Sequence, residues 1–398
     1  MNRSSQIAIS IFALPILGNS STIVIGARGV VATDIRKGTI FISYDGWGDE
    51  CTQSKPCGVK KGIKKAKAGD IVFFKGGLYD ISTLDKFPKK RIKLNGGLKG
   101  KPIIYESYPN ELAIFDGKNL KKGDFGSILL RNYTHLRRVE VLNMQKVGIK
   151  IRGNHNLVEG VESHHNRSTG IHIFGRYKVD DSSASYNIIK DCKLHHNSDI
   201  NTKFQGDNAD GISVSNGMHN LITHNSVYSN SDDGVDTWRS IDTTIEYSIS
   251  YDNGKGEKGN GMGFKLGGDN NKSSLLGTGA ISRFNIAYSN RNSGYSENAG
   301  KNITIKNSIS YNNGGYGFVA LLKNNSSIID NISYKNREGD LYTTKTLVKN
   351  NSWQIKESID DSDFLSLQNS SKGFLKPQNN SKLFKIGAYA YIEPTSTK

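Results

Sequence analysis

Four acids and one lysine lie between residues 206 and 268 at a spacing that suggests metal-assisted proton transfer. Asp210 sits in GDNADGISV, Asp232, Asp233 and Asp236 sit in NSDDGVDTW, and Lys265 sits in GMGFKLGG. Asp210 and Asp233 both precede a glycine and an apolar residue, and they are 233 − 210 = 23 residues apart. If that interval is one turn of a repeating structure, the two are stacked neighbours and all four carboxylates converge. Packed together, such charges repel by several kcal/mol or hold protons at neutral pH. A hard divalent cation resolves the conflict, and carboxylate oxygens on a β scaffold suit Ca²⁺ better than Zn²⁺. The spacing is not that of an EF-hand loop. Taken singly, an Asp-Gly pair is an ordinary turn, so the argument rests on the conjunction. A lysine beside a bound dication is expected to have its pKa lowered, and a free amine is a competent general base. Glycines at 259, 261, 263, 267 and 268 are expected to clear bulk so that a polymer can approach Lys265. Arg239, just past the acids, is an expected partner for substrate carboxylates.

The elements that must position these residues are repeats. From about residue 145 a phrase of short apolar alternation, polar residues and a closing Asn recurs, as in HNLITHNSVYSN (219–230), NITIKNSISYN (302–312) and SIIDNISYKN (327–336). The closing asparagines fall at 166, 197, 230, 253, 290, 312 and 336. A second phrase, x-Gly-apolar-x-apolar, appears as VGIKI, TGIHI, DGISV, DGVDT and MGFKL, with glycines at 148, 170, 211, 234 and 263. Intervals of about 22 to 24 residues, with longer ones where loops intrude, signal a solenoid. The β-rich units lack helical periodicity and turn on Gly and Asn. Stacked Asn side chains that bond from coil to coil account for the recurrence. The expected fold is all-β, a right-handed parallel β-helix over residues 39–345, with handedness following the crossover rule. Side chains alternate faces along a strand, so the fourth position of the glycine phrase points outward. It carries His172, Ser213, Asp236, Lys265 and Ser296, one per coil and about 4.8 Å apart.

The ends differ. Residues 1–27 begin with Arg3 and an apolar run from Ile7 to Leu17, which is too short to span a bilayer and suits an export signal. A short capping helix is expected over Lys60–Ala68, before a first strand Ile71–Lys75. Residues 346–398 lose the repeat and read as an irregular C-terminal cap. Cys51 and Cys57 are close enough to bridge a small loop in an oxidising compartment, and Cys192 is left over. Net charge is 53 − 37 = +16, so an acidic partner is expected. Nucleic acid is disfavoured because the basic residues are scattered and lack interleaved aromatics. The expectation is a secreted monomer, free of the membrane after export.

NADGISV, SDDGVD and GNGMGFKLGG, in this order, resemble the family 9 polysaccharide lyases. The opening segments GTIFISYDGWG and KGIKKAKAGDIVFFKGGLYD are similar to that family's first coil and capping helix. The resemblance implies that Asp210, Asp232, Asp233 and Asp236 bind Ca²⁺ and that Lys265 is the base of a β-elimination. The implied substrate is a uronic-acid polymer, pectate or polygalacturonate first, and the product a 4,5-unsaturated sugar. Two rivals stand beside this reading. The aspartate phrases also resemble the inverting polygalacturonases, but those carry Gly-His-Gly and Arg-Ile-Lys on following coils, where this chain has GMGFKLGG. A non-catalytic glycan-binding β-helix would use the same repeats without needing Lys265.

Overall fold

The computed structural model describes residues 39–390, apart from 85–86, 177–183, 270–275, 321–324 and 345. The expected export segment lies outside these residues. Strands of two to five residues, rich in Ile, Val, Phe and Tyr, form three parallel sheets of twelve, ten and ten strands. Each strand bonds to those one coil before and after it, which makes a right-handed parallel β-helix. The twelve-stranded sheet runs from Thr39–Ile42 to Leu347–Lys349. The second sheet runs from Ile92–Lys93 to Gly339–Thr343 and includes Ile212–Ser215, Val235–Asp236 and Phe264–Leu266. The third runs from Gly77–Asp80 to Ile332–Tyr334. Among the described residues no helix is long and apolar enough to cross a membrane.

Alternation along each short strand sends every second side chain into the bore. Ile149 and Ile151, Ile171 and Ile173, Ile212 and Val214, and Phe264 and Leu266 are fully buried in this way. The rings of Phe264, Tyr295 and Phe318 stack with centroids 5.1 and 5.0 Å apart. Asparagines form the expected ladder: Asn166, Asn197, Asn230, Asn253 and Asn290 pass a side-chain hydrogen bond along at 2.8–3.0 Å. The next rung is Asn313, bonded to Asn290 at 3.0 Å and Asn336 at 2.9 Å, so the assignment of Asn312 is corrected. Asn312 has a positive φ of 51° and turns outward. A second ladder, not foreseen, links Asn156, Asn187 and Asn220 at 2.8 and 3.0 Å.

The glycine column follows from the first ladder. A Cβ on Gly234 would lie 2.0 Å from Ser250 Oγ and 2.9 Å from Asn253 Nδ2, distances no side chain tolerates. The glycines around Lys265 answer to similar demands. A Cβ at 259 would strike Ser231 O at 2.2 Å, while 261, 267 and 268 hold φ of 72°, 78° and 100°, where glycine alone is at ease.

At the N-terminus the capping helix spans Val59–Lys65 and buries Val59 and Ile63. It stops short of the expected Ala68 because Ala66 is already extended. Cys51 and Cys57 form a disulfide buried beneath this cap. Parallel pairing passes the expected boundary at 345 and continues through Leu347–Lys349. Asn351 sustains it by accepting from Asn331 at 3.0 Å. Residues 352–390 form short helical turns, bends and isolated bridges, and their Phe364, Phe374, Leu375, Leu383 and Ile386 pack on Ile286, Ile309 and Ile332 of the third sheet.

Candidate active site

The register places the chemistry. Ser213 is opposite Asp236, and Asp236 is opposite Lys265; His172 precedes Ser213 and Ser296 follows Lys265. Asp210 and Asp233 close the turns that lead into the second sheet on adjacent coils, and the Asp233 N–H donates to Asp210 Oδ1 at 3.3 Å. Backbone donors fix two more acids: Asn260 N–H reaches Asp232 Oδ1 at 2.6 Å and Met262 N–H reaches Asp233 Oδ1 at 2.7 Å. Lys265 Nζ lies 3.0 Å from Asp233 Oδ2 and 3.3 Å from Asp236 Oδ2. All four acids are buried, and the lysine side chain is only 14% exposed.

Burial sets the charge states. It raises the Asp210 carboxyl well above its usual range, helped by Asp232, Asp236 and Asp233. Burial and then Asp233 push Asp232 up to about 8. Burial raises Asp233 and lifts Asp236 to about 6, with Lys265 pulling both back. On Lys265 itself burial works to lower the pKa, but Asp236 and Asp233, joined by Asp210 and Asp232, outweigh it and raise it. The protein groups alone therefore keep the amine protonated. It can act as a base only when other positive charge occupies the acids.

The acids are built to accept such a charge. Asp210, Asp232 and Asp233 each bring a carboxylate oxygen within 4.8 Å of the others, and Asp236 Oδ1 is buried with no hydrogen-bond partner among the described residues. An all-oxygen donor set of this kind fits Ca²⁺. Arg239 Nε donates to Asn216 Oδ1 at 2.8 Å and its guanidinium pairs with Asp269. Its charge is thus engaged within the protein. Lys150 lies opposite His172 on the same sheet face. Lys150 and Arg152 lie over the Phe174 ring at 4.0 and 4.8 Å. Burial, then Arg152 and Arg91, push Lys150 down to about 8. Its signal was the fourth position of VGIKI.

A parallel β-helix with a nest of carboxylates against a lysine on its sheet face has the design of a polysaccharide lyase. The chain belongs to the Pel9A-like, right-handed β-helix family, whose sequence model matches residues 40–351. It is 27% identical to pectate lyase L of Dickeya dadantii (strain 3937) over 361 residues, covering 86% of this chain and 82% of that one. It is 29% identical to pectate lyase L of Paenibacillus polymyxa (strain SC2) over 258 residues, 60% of this chain, and spans about half (55%) of that relative's length. Among solved structures, pectate lyase Pel9A superposes with a TM-score of 0.75 at 25% identity, covering 88% of this chain and 92% of that one. A rhamnogalacturonan lyase superposes with the same TM-score at 22% identity, covering 89% and 100%; this likeness bears on the fold alone.

Proposed function

We propose that the chain is an exported, Ca²⁺-dependent lyase that cleaves a uronic-acid polymer, polygalacturonate first, by β-elimination with Lys265 as the base. The observation that carries this reading is the 3.0 Å approach of Lys265 Nζ to Asp233 in the nest shared with Asp210, Asp232 and Asp236. Bound Ca²⁺ supplies charge that neutralises a uronate carboxylate and makes its C5 proton more acidic. Asp210, Asp232, Asp233 and Asp236 hold the cation and in doing so release the amine from its ion pairs. Lys265 Nζ takes the C5 proton, the C5–H electron pair forms the C4=C5 double bond, the C4–O bond breaks, and the departing oxygen takes a proton from water to become the hydroxyl of the released chain end. Lys150 and Arg152, three coils before Asp236, offer positive charge to further carboxylates along the same face. The buried disulfide and the expected N-terminal signal support export.

The test is incubation with polygalacturonate while ultraviolet absorbance is followed, with Ca²⁺ and with a chelator. Chelator-sensitive absorbance from the unsaturated product is the expected result. New reducing ends without absorbance would move the chain to the hydrolases, and neither signal across a panel of uronate polymers would leave a glycan binder.

A further inference from the structure

Four of the nine histidines in the chain meet on the outer face of the third sheet, away from the acidic nest in sequence and on a different sheet. His164 and His195 hold the same position on adjacent coils, with rings stacked at 4.7 Å and 9°. His165 and His196 follow them in the turn, each with a positive φ, and stack at 5.1 Å and 6°. The result is a two-by-two block of imidazoles.

The hydrogen bonds at its edges decide which nitrogens are free. His164 Nε2 lies 3.0 Å from Glu140 Oε1, and His195 Nε2 lies 2.9 Å from Glu162 Oε1. A carboxylate accepts, so each Nε2 carries the proton and each Nδ1 of the neutral ring presents a lone pair. Those lone pairs face other ring nitrogens: His164 Nδ1 is 2.6 Å from His165 Nδ1, and His195 Nδ1 is 2.8 Å from His196 Nδ1. Nitrogens this close share a proton, His165 and His196 each donating Nδ1–H to the neighbouring lone pair; a cation that displaces those protons spreads each pair, since two nitrogens held at about 2.0–2.1 Å by one Zn²⁺ stand about 3.3 Å apart. His164, His165 and His195 also bring one coordinating nitrogen each within 4.8 Å of the others. A carboxylate that orients a histidine through its far nitrogen is the usual outer support of a metal-binding imidazole.

We propose that His164, His165, His195 and His196 form a second metal site, which takes a borderline divalent cation such as Zn²⁺ and ties two adjacent coils together. Imidazole nitrogen selects Zn²⁺, Ni²⁺ or Cu²⁺, whereas the carboxylate nest selects Ca²⁺, so the two sites do not compete for one ion. Stacking alone does not call for histidine here. The same column continues through Tyr228, Tyr251 and Tyr288 at 4.6–4.8 Å, so tyrosine serves where only ring contact is needed. His165 and His196 are exposed, which leaves the ion a way in from solvent.

The test titrates Zn²⁺ by calorimetry into the full-length protein already saturated with Ca²⁺. One equivalent should bind with micromolar or tighter affinity and raise the unfolding temperature. The double variant His165→Ala/His196→Ala should lose at least about tenfold in affinity, and Glu140→Ala should weaken it about 10- to 100-fold. Asp232→Asn should leave Zn²⁺ affinity unchanged. Lyase activity with Ca²⁺ should be the same in the histidine double variant, so failure here does not touch the proposed elimination. Absence of Zn²⁺ binding, or affinity unaltered by the double substitution, overturns the site. If the double variant does not fold, Cu²⁺ electron paramagnetic resonance on the unmodified protein decides: nitrogen couplings support the block, and a purely oxygen-ligated signal overturns it.

Discussion

Lys265 and its acids are held in mutual dependence, and this sorts the effects of single substitutions. Replacing Lys265 with Ala should lower kcat by about 10²- to 10⁴-fold, the usual worth of a positioned base, while calorimetry still detects Ca²⁺ binding. Because the variant leaves four buried acids without their ammonium, its Ca²⁺-induced rise in unfolding temperature should exceed that of the parent. The pH dependence follows from the raised carboxyls. Between the ordinary 3.8 and about 8 for Asp232, or about 6 for Asp236, the folded chain holds protons that the unfolded chain has lost. Without Ca²⁺, stability should therefore fall as pH rises through this window. Thermal unfolding in chelator from pH 4 to 8 should show that decline and Ca²⁺ should flatten it, since binding displaces those protons. The five residues of the nest were legible because each stands at a fixed place in a repeated phrase. The engagement of Arg239 was not, since Asp269 reaches it from a loop outside the repeat.

Strands and turns were legible through their period, yet the phase of one rung was not. Asn312 and Asn313 are adjacent and chemically identical, so only the backbone decides which enters the bore. Asn313 donates to Asn336, Ser310 and Ala287 at 2.9, 3.0 and 3.1 Å, whereas Asn312 turns away. Asn313→Ala leaves buried partners unsatisfied and should cost about 1–3 kcal/mol. Asn312→Gly, which keeps the left-handed φ of 51° without strain, should change stability by less than about 0.5 kcal/mol, as surface substitutions do. Denaturant titration of the pair would separate them, and equal losses would contradict the ladder's phase. The glycines near Lys265 have a backbone reason that composition does not carry, because it does not say which atoms surround each position. Neighbouring backbone fills that room at 259, and left-handed φ values explain 261, 267 and 268.

At the scale of the whole molecule the C-terminal segment is a cover. Phe374 packs edge-on against Tyr288 at 4.9 Å and Phe364 lies on Tyr334 at 5.3 Å, shielding the last coils of the third sheet from water. Deleting residues 352–398 should lower the unfolding temperature and increase binding of an apolar dye, with each exposed aromatic or aliphatic anchor losing about 1.5–3 kcal/mol of burial. Calorimetric scanning of the truncated chain checks this, and an unchanged transition would mean that the cover contributes nothing. The proposed chemistry, meanwhile, is confined to three successive turns in the middle of a long stack, those of Asp210, Asp233 with Asp236, and Lys265. In a solenoid each turn meets only its neighbours, so turns gained or lost toward either end would lengthen or shorten the track along which a chain of sugars lies without disturbing where it is cut. Reach and reactivity are thereby separable properties of the stack.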